Sequence, residues 1–366
     1  MSVVVLGAGI VGSAAIWDLK RRGFEVAVAD ADPESVVRAS RRFDVAASVM
    51  DVSDLDEVRA GLSPHDAVVS AVPYRFGVVV AQAAIDTGTH YADFGGNPAV
   101  VARQKEMDAS AAEAGLMIVP DCGLAPGVAN VMATQLIEEA DPGPIDSVQI
   151  RVGALPQVPV GSLGYQLAFN AAGLINEYAE PCEVIDGGKY ATVEPLTRFE
   201  TVEWDGWGPL EAFSTAGGTS SMCSLHTDVV SHLEYKTLRF PGHGNVFRAM
   251  LELGMFNEDR GASGVSPRDL LLETLNASLP RDQPDLVLVR AWIDQGGVRK
   301  GMQIEDVEQD GFTALARTTA FPATALIDLV VSGSISRPGV KTMNEAITGD
   351  ELVPQLAPVN INVERF

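Results

Sequence analysis

Lysine and cysteine are scarce in this chain, and each shortage excludes a class of protein. Of 366 residues, six are lysine, and 26 basic residues face 49 acidic ones for a net charge of −23. Such a surface repels polyanions, which excludes nucleic acid and anionic membrane as partners. The three cysteines, Cys122, Cys182 and Cys223, are an odd number at unrelated spacings. That pattern suits a reducing cytoplasm and neither a disulfide framework nor a zinc site. No uninterrupted apolar run reaches the roughly eighteen residues that a membrane span needs. No basic segment and cleavage site precede the first apolar run, which points away from secretion. His226 and His232 lack metal-ligand spacing of the His-Glu-x-x-His kind, so no metal is expected. No Gly-x-Ser-x-Gly elbow supports nucleophilic serine chemistry. The acidic residues form no run of five or more, so they read as a solvated surface, one compatible with a salt-rich host cytoplasm.

What the chain does have is apolar bulk and an organised beginning. At 46% hydrophobic content it can bury a large core, and its length exceeds what one core usually serves, so two domains are expected. Val3-Val4-Val5-Leu6 passes into Gly7-Ala8-Gly9-Ile10-Val11-Gly12, and a helix-compatible stretch follows to Lys20. A second apolar run ends at Asp30. This is the strand, glycine turn and helix of a dinucleotide site. Gly7 permits the tight turn, Gly9 lets backbone approach a pyrophosphate, and Gly12 allows helix and strand to pack closely. The helix N-terminus, starting at Ile10 and Val11, offers unpaired N–H groups to the phosphates. Asp30 stands where a ribose diol would lie. A carboxylate there accepts the 2′-hydroxyl and repels a 2′-phosphate, favouring NAD over NADP, although Arg38, Arg41 and Arg42 follow.

Strands and helices then alternate to Val119, the signature of a parallel sheet covered on both faces. Helices are expected over Pro33 to Arg42, from a cap at Ser53, over Gly77 to Thr87 and over Pro98 to Ala114. Ligands in such a fold lie beyond the carboxyl ends of strands. Ala71-Val72-Pro73-Tyr74, Asp93-Phe94 and Asp121-Cys122 therefore all lie near the cofactor. After a helix over Val128 to Ala140 the chain turns strand-rich, with candidates at 147–152, 182–185, 201–204, 237–240, 285–293, 302–307 and 313–316. An apolar helix over Thr318 to Val331 contains Pro322. The fold class expected is α/β: a Rossmann-type doubly wound parallel sheet, with a second α+β domain carrying an open mixed sheet. The divisions are 1–124 for dinucleotide binding, 125–317 for substrate binding and oligomerisation, and 318–366 for a helix and tail returning to the first domain.

Several phrases together resemble the saccharopine dehydrogenase-like family, and within it the lysine 6-dehydrogenases. They are Ala15-Ile16-Trp17-Asp18-Leu19-Lys20, Asp121-Cys122-Gly123-Leu124-Ala125-Pro126-Gly127, Gly153-Ala154-Leu155-Pro156, Glu211-Ala212-Phe213 and Thr237-Leu238-Arg239-Phe240-Pro241-Gly242-His243. The resemblance runs to about Gly333. It implies an NAD(P)-dependent oxidoreductase acting on an amine carbon of an amino acid, and association into a dimer or larger homo-oligomer through the second domain's sheet. A lysine 6-dehydrogenase removes hydride from C6 of L-lysine, and water then releases ammonia and the semialdehyde, which cyclises. A saccharopine dehydrogenase does the same on a secondary amine and must hold a second dicarboxylate half. The chain departs from the lysine enzymes at Ala216-Gly217-Gly218-Thr219-Ser220-Ser221, where an arginine near the substrate is expected and small polar residues stand instead.

This chemistry needs a base, because an alkyl ammonium titrates near pH ~10.4. Asp121 is the first candidate, or else a turn or capping residue; His243 is the second, or else a hydrogen bonder in a turn. Arg239 suits a carboxylate anchor by bidentate pairing, or an ordinary salt bridge. Arg151, Arg198, Arg248, Arg290 and Arg299 are further possible clamps. Asp93 could receive the α-ammonium or cap a helix, Tyr74 and Phe94 could line the nicotinamide pocket or the core, and Thr219 lies in the departing stretch near the substrate. Cys122 reads as a buried apolar cysteine.

Overall fold

Short β-branched runs and amphipathic helices build the first part of the chain, in the order β1 (Ser2–Leu6), α1 (Ile10–Arg21), β2 (Glu25–Asp30), α2 (Pro33–Phe43), β3 (Ala46–Val49), α3 (Leu55–Leu62), β4 (Ala67–Ser70), α4 (Gly77–Thr87), β5 (His90–Asp93), α5 (Pro98–Lys105), α6 (Asp108–Glu113) and β6 (Met117–Val119). The computed structural model describes residues 1–261 and 264–366. It divides into two units, Met1–Gln135 with Ala316–Asn362, and Leu136–Leu315 with Val363–Phe366.

In the first unit the strand order is β6-β5-β4-β1-β2-β3, with Gly339–Val340 beyond β6. Every neighbouring pair is parallel. The order reverses at β1, which lies between β2 and β4, and that reversal opens a crevice at the carboxyl ends. Val58, Leu62, Val80, Ala84 and Ala111 from the helices pack with Val4, Leu6, Val68, Tyr91 and Ile118 from the sheet in one core. A parallel sheet needs this cover, which is why its strands are apolar on both faces.

Three local expectations need correction. Helix α3 is capped by Asp54, whose carboxylate accepts from the amides of Asp56 and Glu57, while Ser53 bonds Asp51 instead. The expected helix from Pro98 to Ala114 is two helices, α5 and α6, broken at Glu106 and Met107, where no Gly or Pro marks the interruption. The expected strand over 313–316 is the start of an 18-residue helix, Ala314–Val331. Its first amides, of Ala314 and Leu315, donate to the carboxylate of Asp285 at 2.6 and 2.9 Å. A cap supplied from so far along the chain leaves no local signature.

That helix is long and apolar enough to cross a membrane by length and composition, and 72% of it is buried. Its later turns pack in the first unit, where Phe321 stacks on Trp17 with ring centroids 5.6 Å apart. The fully buried carboxylate of Asp18 is held there by Arg21 and Arg22 at 2.7 Å each and by the Thr324 hydroxyl at 2.5 Å. Arg22 continues to Asp328 at 3.1 Å.

The second unit opens after α7 (Val128–Glu138) with β7 (Ser147–Pro156), α8 (Ala171–Ala179), β8 (Cys182–Asp186), β9 (Lys189–Val193), β10 (Glu200–Trp204), β11 (Gly208–Ser214), β12 (His232–Arg239), β13 (Asp285–Gln295) and β14 (Val298–Val307). Its sheet runs β10-β11-β12-β7-β13-β14 and ends on Val363–Arg365, with β8 and β9 branching from β12. The β12–β7 pair is parallel and the others are antiparallel, so the sheet is mixed. Leu174, Ile175 and Tyr178 of α8 pack with Tyr165, Phe213 and Phe247 in an aromatic core.

Removing one member of a buried ion pair strands its partner. Asp18→Ala is expected to lower unfolding free energy by about 3 kcal/mol or more, measured by urea titration. A loss below about 1 kcal/mol would show that the arginines find water instead.

Candidate functional site

The crevice of the first unit begins at the glycine turn. Gly7 leaves β1 with φ +94°, and a Cβ there would lie 2.7 Å from the carbonyl oxygen of Ala71. A Cβ on Gly12 would come 1.9 Å from the Gly7 carbonyl and 3.3 Å from the Ala71 methyl. Both positions are glycine because backbone meets backbone. Gly9 differs, since nothing lies within 4 Å of where its Cβ would be. It is also the N-cap of α1, with no side-chain cap and no acidic residue in the first turn, and Ile10 behind it is 62% exposed. Open amides, open space and a helix dipole form an anion cradle.

Asp30 ends β2 and ties this cradle down. Its Oδ2 accepts from the Ala8 amide at 2.7 Å and its Oδ1 from the Asp32 amide at 2.8 Å. Asp32 caps α2 and lies within 3.5 Å of the Arg38 guanidinium. On the other side of β1, the Ala71 amide donates to Leu6 at 2.7 Å. Val72 and Pro73 lead into a short turn, where Tyr74 is 38% exposed. Gly7, Gly9, Ile10, Val11, Gly12, Asp30, Ala71, Val72 and Pro73 therefore surround the ends of three adjacent strands, and the arrangement fits a dinucleotide.

Asp93 and Asp121 come together at the ends of β5 and β6. Both are buried. The Asp93 carboxylate accepts from the amides of Gly95 at 2.8 Å and Asp121 at 3.1 Å, from the Tyr91 hydroxyl at 2.5 Å and from Gln104 at 2.9 Å. Four donors fill a carboxylate, so Asp93 organises the loop and has no capacity left for an ammonium. Helix α5 is capped by Asn97, and Asp93 plays no part there. Asp121 has φ +60°, a left-handed conformation uncommon outside glycine, and its side chain fills the place a Gly95 Cβ would occupy. The amides that open α7 are met by Gly123, Leu124 and Asn130, so Asp121 is not that helix's cap. Cys122 is buried, and burial pushes its thiol well up. Burial likewise lifts Cys182 and Cys223 to about 12.

In the second unit, strand alternation places Tyr235, Thr237 and Arg239 of β12 on one face. Arg239 is 3% exposed and lies over the Tyr165 ring at 5.1 Å. Its Nε donates to the Tyr178 hydroxyl at 3.0 Å and its Nη1 to the Leu238 carbonyl at 2.9 Å. His243 closes the relay, with Nδ1 3.0 Å from the Leu163 carbonyl and Nε2 3.0 Å from the Tyr178 hydroxyl. A carbonyl only accepts, so Nδ1 carries the proton and Nε2 accepts from Tyr178. The ring stacks on Phe247 at 4.6 Å. Burial, then the positive charge of Arg239, push it down to about 3. His243 is therefore a neutral orienting group, and its expected role as a base is replaced by that of fixing Tyr178 and, through it, Arg239.

Sequence reasoning missed one residue whose carboxyl feels the charge of Arg239. Glu177 of α8 is half-buried, and burial lifts its carboxyl to about 7 against the pull of Arg239. The Ala216 amide reaches its backbone carbonyl at 2.9 Å, which brings the small polar stretch alongside. A Cβ on Gly218 would strike the Tyr235 ring at 2.4 Å, so position 218 lies flat on an aromatic and admits no side chain. Thr219 is buried with its hydroxyl 3.4 Å from Glu183. The other expected clamps are committed elsewhere. Arg151 pairs with Glu200 and Glu234, Arg198 with Glu234, Arg248 with Glu252 and Arg299 with Asp294, while Arg290 binds Gln303 and the Trp204 face. Among the described residues, no group of three His, Cys, Asp or Glu side chains converges as metal ligands would.

Residues 3–119 match the model of the saccharopine dehydrogenase NADP binding domain, and residues 123–360 that of the saccharopine dehydrogenase C-terminal domain. The chain belongs to the saccharopine dehydrogenase family. The saccharopine dehydrogenase [NADP(+), L-glutamate-forming] of Pyricularia oryzae is 25% identical over 268 residues, 70% of this chain and 58% of that protein. The enzyme of the same name from Saccharomyces cerevisiae is 22% identical and covers 97% and 96% of the two chains. The mitochondrial alpha-aminoadipic semialdehyde synthase of Rattus norvegicus is 24% identical over 86% of this chain. The chain thus spans 58% of the Pyricularia relative and 33% of the rat one. An apo structure of saccharopine dehydrogenase (L-Glu forming) from S. cerevisiae superposes with a TM-score of 0.83 at 19% identity, over 100% of this chain and 99% of that one. This saccharopine dehydrogenase family member therefore shares the yeast protein's fold.

The two glycines separate packing from binding. Gly12→Ala, which drives a methyl into backbone, is expected to destabilise the fold by about 2 kcal/mol or more. Gly9→Ala should melt as the parent does and lose NADH affinity at least about tenfold. Differential scanning fluorimetry and NADH fluorescence titration measure the two effects. Equal melting of both variants would contradict the packing role, and unchanged affinity in Gly9→Ala the cradle.

Proposed function

We propose that this chain is a pyridine-nucleotide-dependent dehydrogenase that oxidises the C–N bond of an amino acid, with L-lysine ε-deamination as the leading reaction and NAD as the preferred acceptor. The observation that carries the substrate reading is the number of available clamps. Saccharopine carries a second dicarboxylate half and calls for two cationic anchors, whereas lysine calls for one. Of the six expected arginines two are buried, Arg151 and Arg239; Arg151 is engaged at Nε and both Nη groups, whereas Nη2 of Arg239 has no hydrogen-bond partner among the described residues. A second reading, saccharopine oxidation, draws support from the family and from the names of the relatives.

Bound nicotinamide supplies the two-electron acceptor at its ring. The chain's own groups do the rest. The α1 amides and Gly9 hold the pyrophosphate, and Asp30 takes the ribose diol. Two carboxylates, Asp30 and Asp32, at the edge of β2 disfavour a 2′-phosphate, which supports NAD here although the fungal relatives bear NADP(+) in their names. Asp121 is the proposed proton acceptor for the amine. Its strained backbone, held by Asp93 at a strand end, is of the kind that clusters at reacting sites. In the lysine reaction Asp121 would take the proton that the amine must lose before C6 is oxidised, a bound nicotinamide would supply the two-electron acceptor, and water would add to the resulting imine. Ammonia departs and the semialdehyde remains.

A panel of L-lysine, saccharopine, ornithine, diaminopimelate and carboxynorspermidine, each with NAD and NADP, tests the reading by absorbance of the reduced nucleotide at alkaline pH. Turnover of L-lysine with NAD is the expected result, and turnover of saccharopine alone would select the second reading. Asp30→Ala is expected to lower the NAD over NADP preference in kcat/KM by about tenfold or more, the worth of a charged hydrogen bond. An unchanged ratio would remove Asp30 from cofactor choice.

A further inference from the structure

We propose that Glu211 is a positioning residue for Arg239: it fixes His243, and through His243 and Tyr178 the direction in which Arg239 presents its guanidinium. This rests on the reading of Arg239 as the carboxylate anchor and adds a residue to it. Two phrases that the sequence sets apart, Glu211-Ala212-Phe213 and Thr237 to His243, meet here. In the β11–β12 ladder Glu211 stands directly opposite Arg239, so both side chains leave the same face of the sheet. That is the face on which Phe213 meets Tyr178, with ring centroids 5.7 Å apart. Directly opposed side chains start about 5 Å apart at Cβ, and a glutamate so placed would ordinarily pair with the arginine. Glu211 turns to the backbone instead. Its Oε2 accepts from the Gly242 amide at 2.9 Å and its Oε1 from the Gly244 amide at 2.6 Å. No ion pair joins Glu211 to Arg239 among the described residues.

The two amides flank His243 and open the helix His243–Glu252. The N-cap of that helix, Gly242, has φ +101° and no side chain to cap with, and the first turn holds no acidic residue. A Cβ on Gly244 would lie 2.6 Å from the Phe199 ring and 2.7 Å from the Phe213 ring, so the helix start is pressed onto the aromatic core. Its cap therefore comes from a neighbouring strand, and a carboxylate supplies it with charge-assisted bonds aligned to the helix dipole. The residue between the two bonded amides is held with them. Its ring passes the constraint on, with Nδ1 on the Leu163 carbonyl and Nε2 on the Tyr178 hydroxyl, which accepts in turn from Arg239 Nε, each at 3.0 Å. The same two bonds keep the Glu211 carboxylate from closing on Arg239 and cancelling the charge that a ligand carboxylate would meet.

Three variants of the full chain test this. Glu211→Gln keeps the reach and one accepting oxygen, Glu211→Ala keeps neither, and Tyr178→Phe cuts the relay between His243 and Arg239. With an amine of the panel that turns over, Glu211→Ala is expected to raise KM at least about tenfold while kcat changes less than about threefold, with Glu211→Gln between variant and parent. On a Tyr178→Phe background, Glu211→Ala should add less than about twofold in KM, because both act through one relay. Heteronuclear NMR supplies a readout that needs no turnover. In the parent, His243 should appear as the neutral tautomer with its proton on Nδ1, and the Arg239 Nε–H, assigned by its loss in Arg239→Lys, should exchange slowly with water. In Glu211→Ala the tautomers should average and the Arg239 signal should exchange at least about tenfold faster. Melting curves report folding, and Glu211→Gln carries the same comparison if Glu211→Ala melts early. Unchanged His243 and Arg239 signals in both Glu211 variants, or KM effects of Glu211 and Tyr178 that simply add, would overturn the proposal. Altered signals in a chain that oxidises no amine of the panel would keep Glu211 as the positioning residue and reject the dehydrogenase reading.

Discussion

The constraint that shapes the crevice of the first unit is backbone against backbone where the end of β1 meets α1 and the end of β4. Gly7, Gly12 and Ala71 approach so closely that a single added methyl on either glycine would displace a carbonyl. That contact sets the angle at which α1 leaves the sheet and therefore the direction of its free amides. Asp30 holds the same turn from β2 through the Ala8 amide. Three strands thus converge on one short loop, and the anion cradle is a by-product of how closely they pack.

A comparable economy governs the neighbouring strand ends. Asp93 looked like a ligand-binding carboxylate because it terminates a parallel strand, and the structure spends all of its acceptor capacity on Gly95, Asp121, Tyr91 and Gln104. The charge is thereby solvated by the protein, and it holds in place the left-handed turn at Asp121 through that residue's amide. In the second unit the order is reversed. His243 looked catalytic and is structural, and Glu177, in an ordinary amphipathic helix, is left without donors.

The parallel half of the fold was legible because it is written in short-range terms: apolar runs of strand length, glycines where backbones touch, and an acidic residue at the end of β2. Even the place of Asp30 at the end of β2, against the Ala8 amide, follows from its distance along the chain from the turn. The failures share a cause. The start of helix Ala314–Val331 depends on Asp285, and the bond from Arg239 to the Tyr178 hydroxyl joins a strand to a helix some sixty residues earlier. Neither leaves a local pattern. The missing arginine near Thr219 is visible in the sequence as a departure, whereas the Tyr235 ring that bars any side chain at Gly218 is seen only in three dimensions. The helix and tail are held in the first unit by contacts of the same long-range kind, Phe321 on Trp17 and Arg22 on the Gln355 carbonyl.

The three cysteines have a practical consequence. Each is buried and each thiol is held well above the range in which a thiolate forms at neutral pH. Reactivity toward maleimides and similar reagents follows the thiolate and its accessibility. A cysteine introduced on the exposed face of α2 or of helix Pro267–Ser278 would therefore stand as the single labelling handle on a wild-type background. Fluorescent or spin probes could be attached to either unit without first removing a native residue.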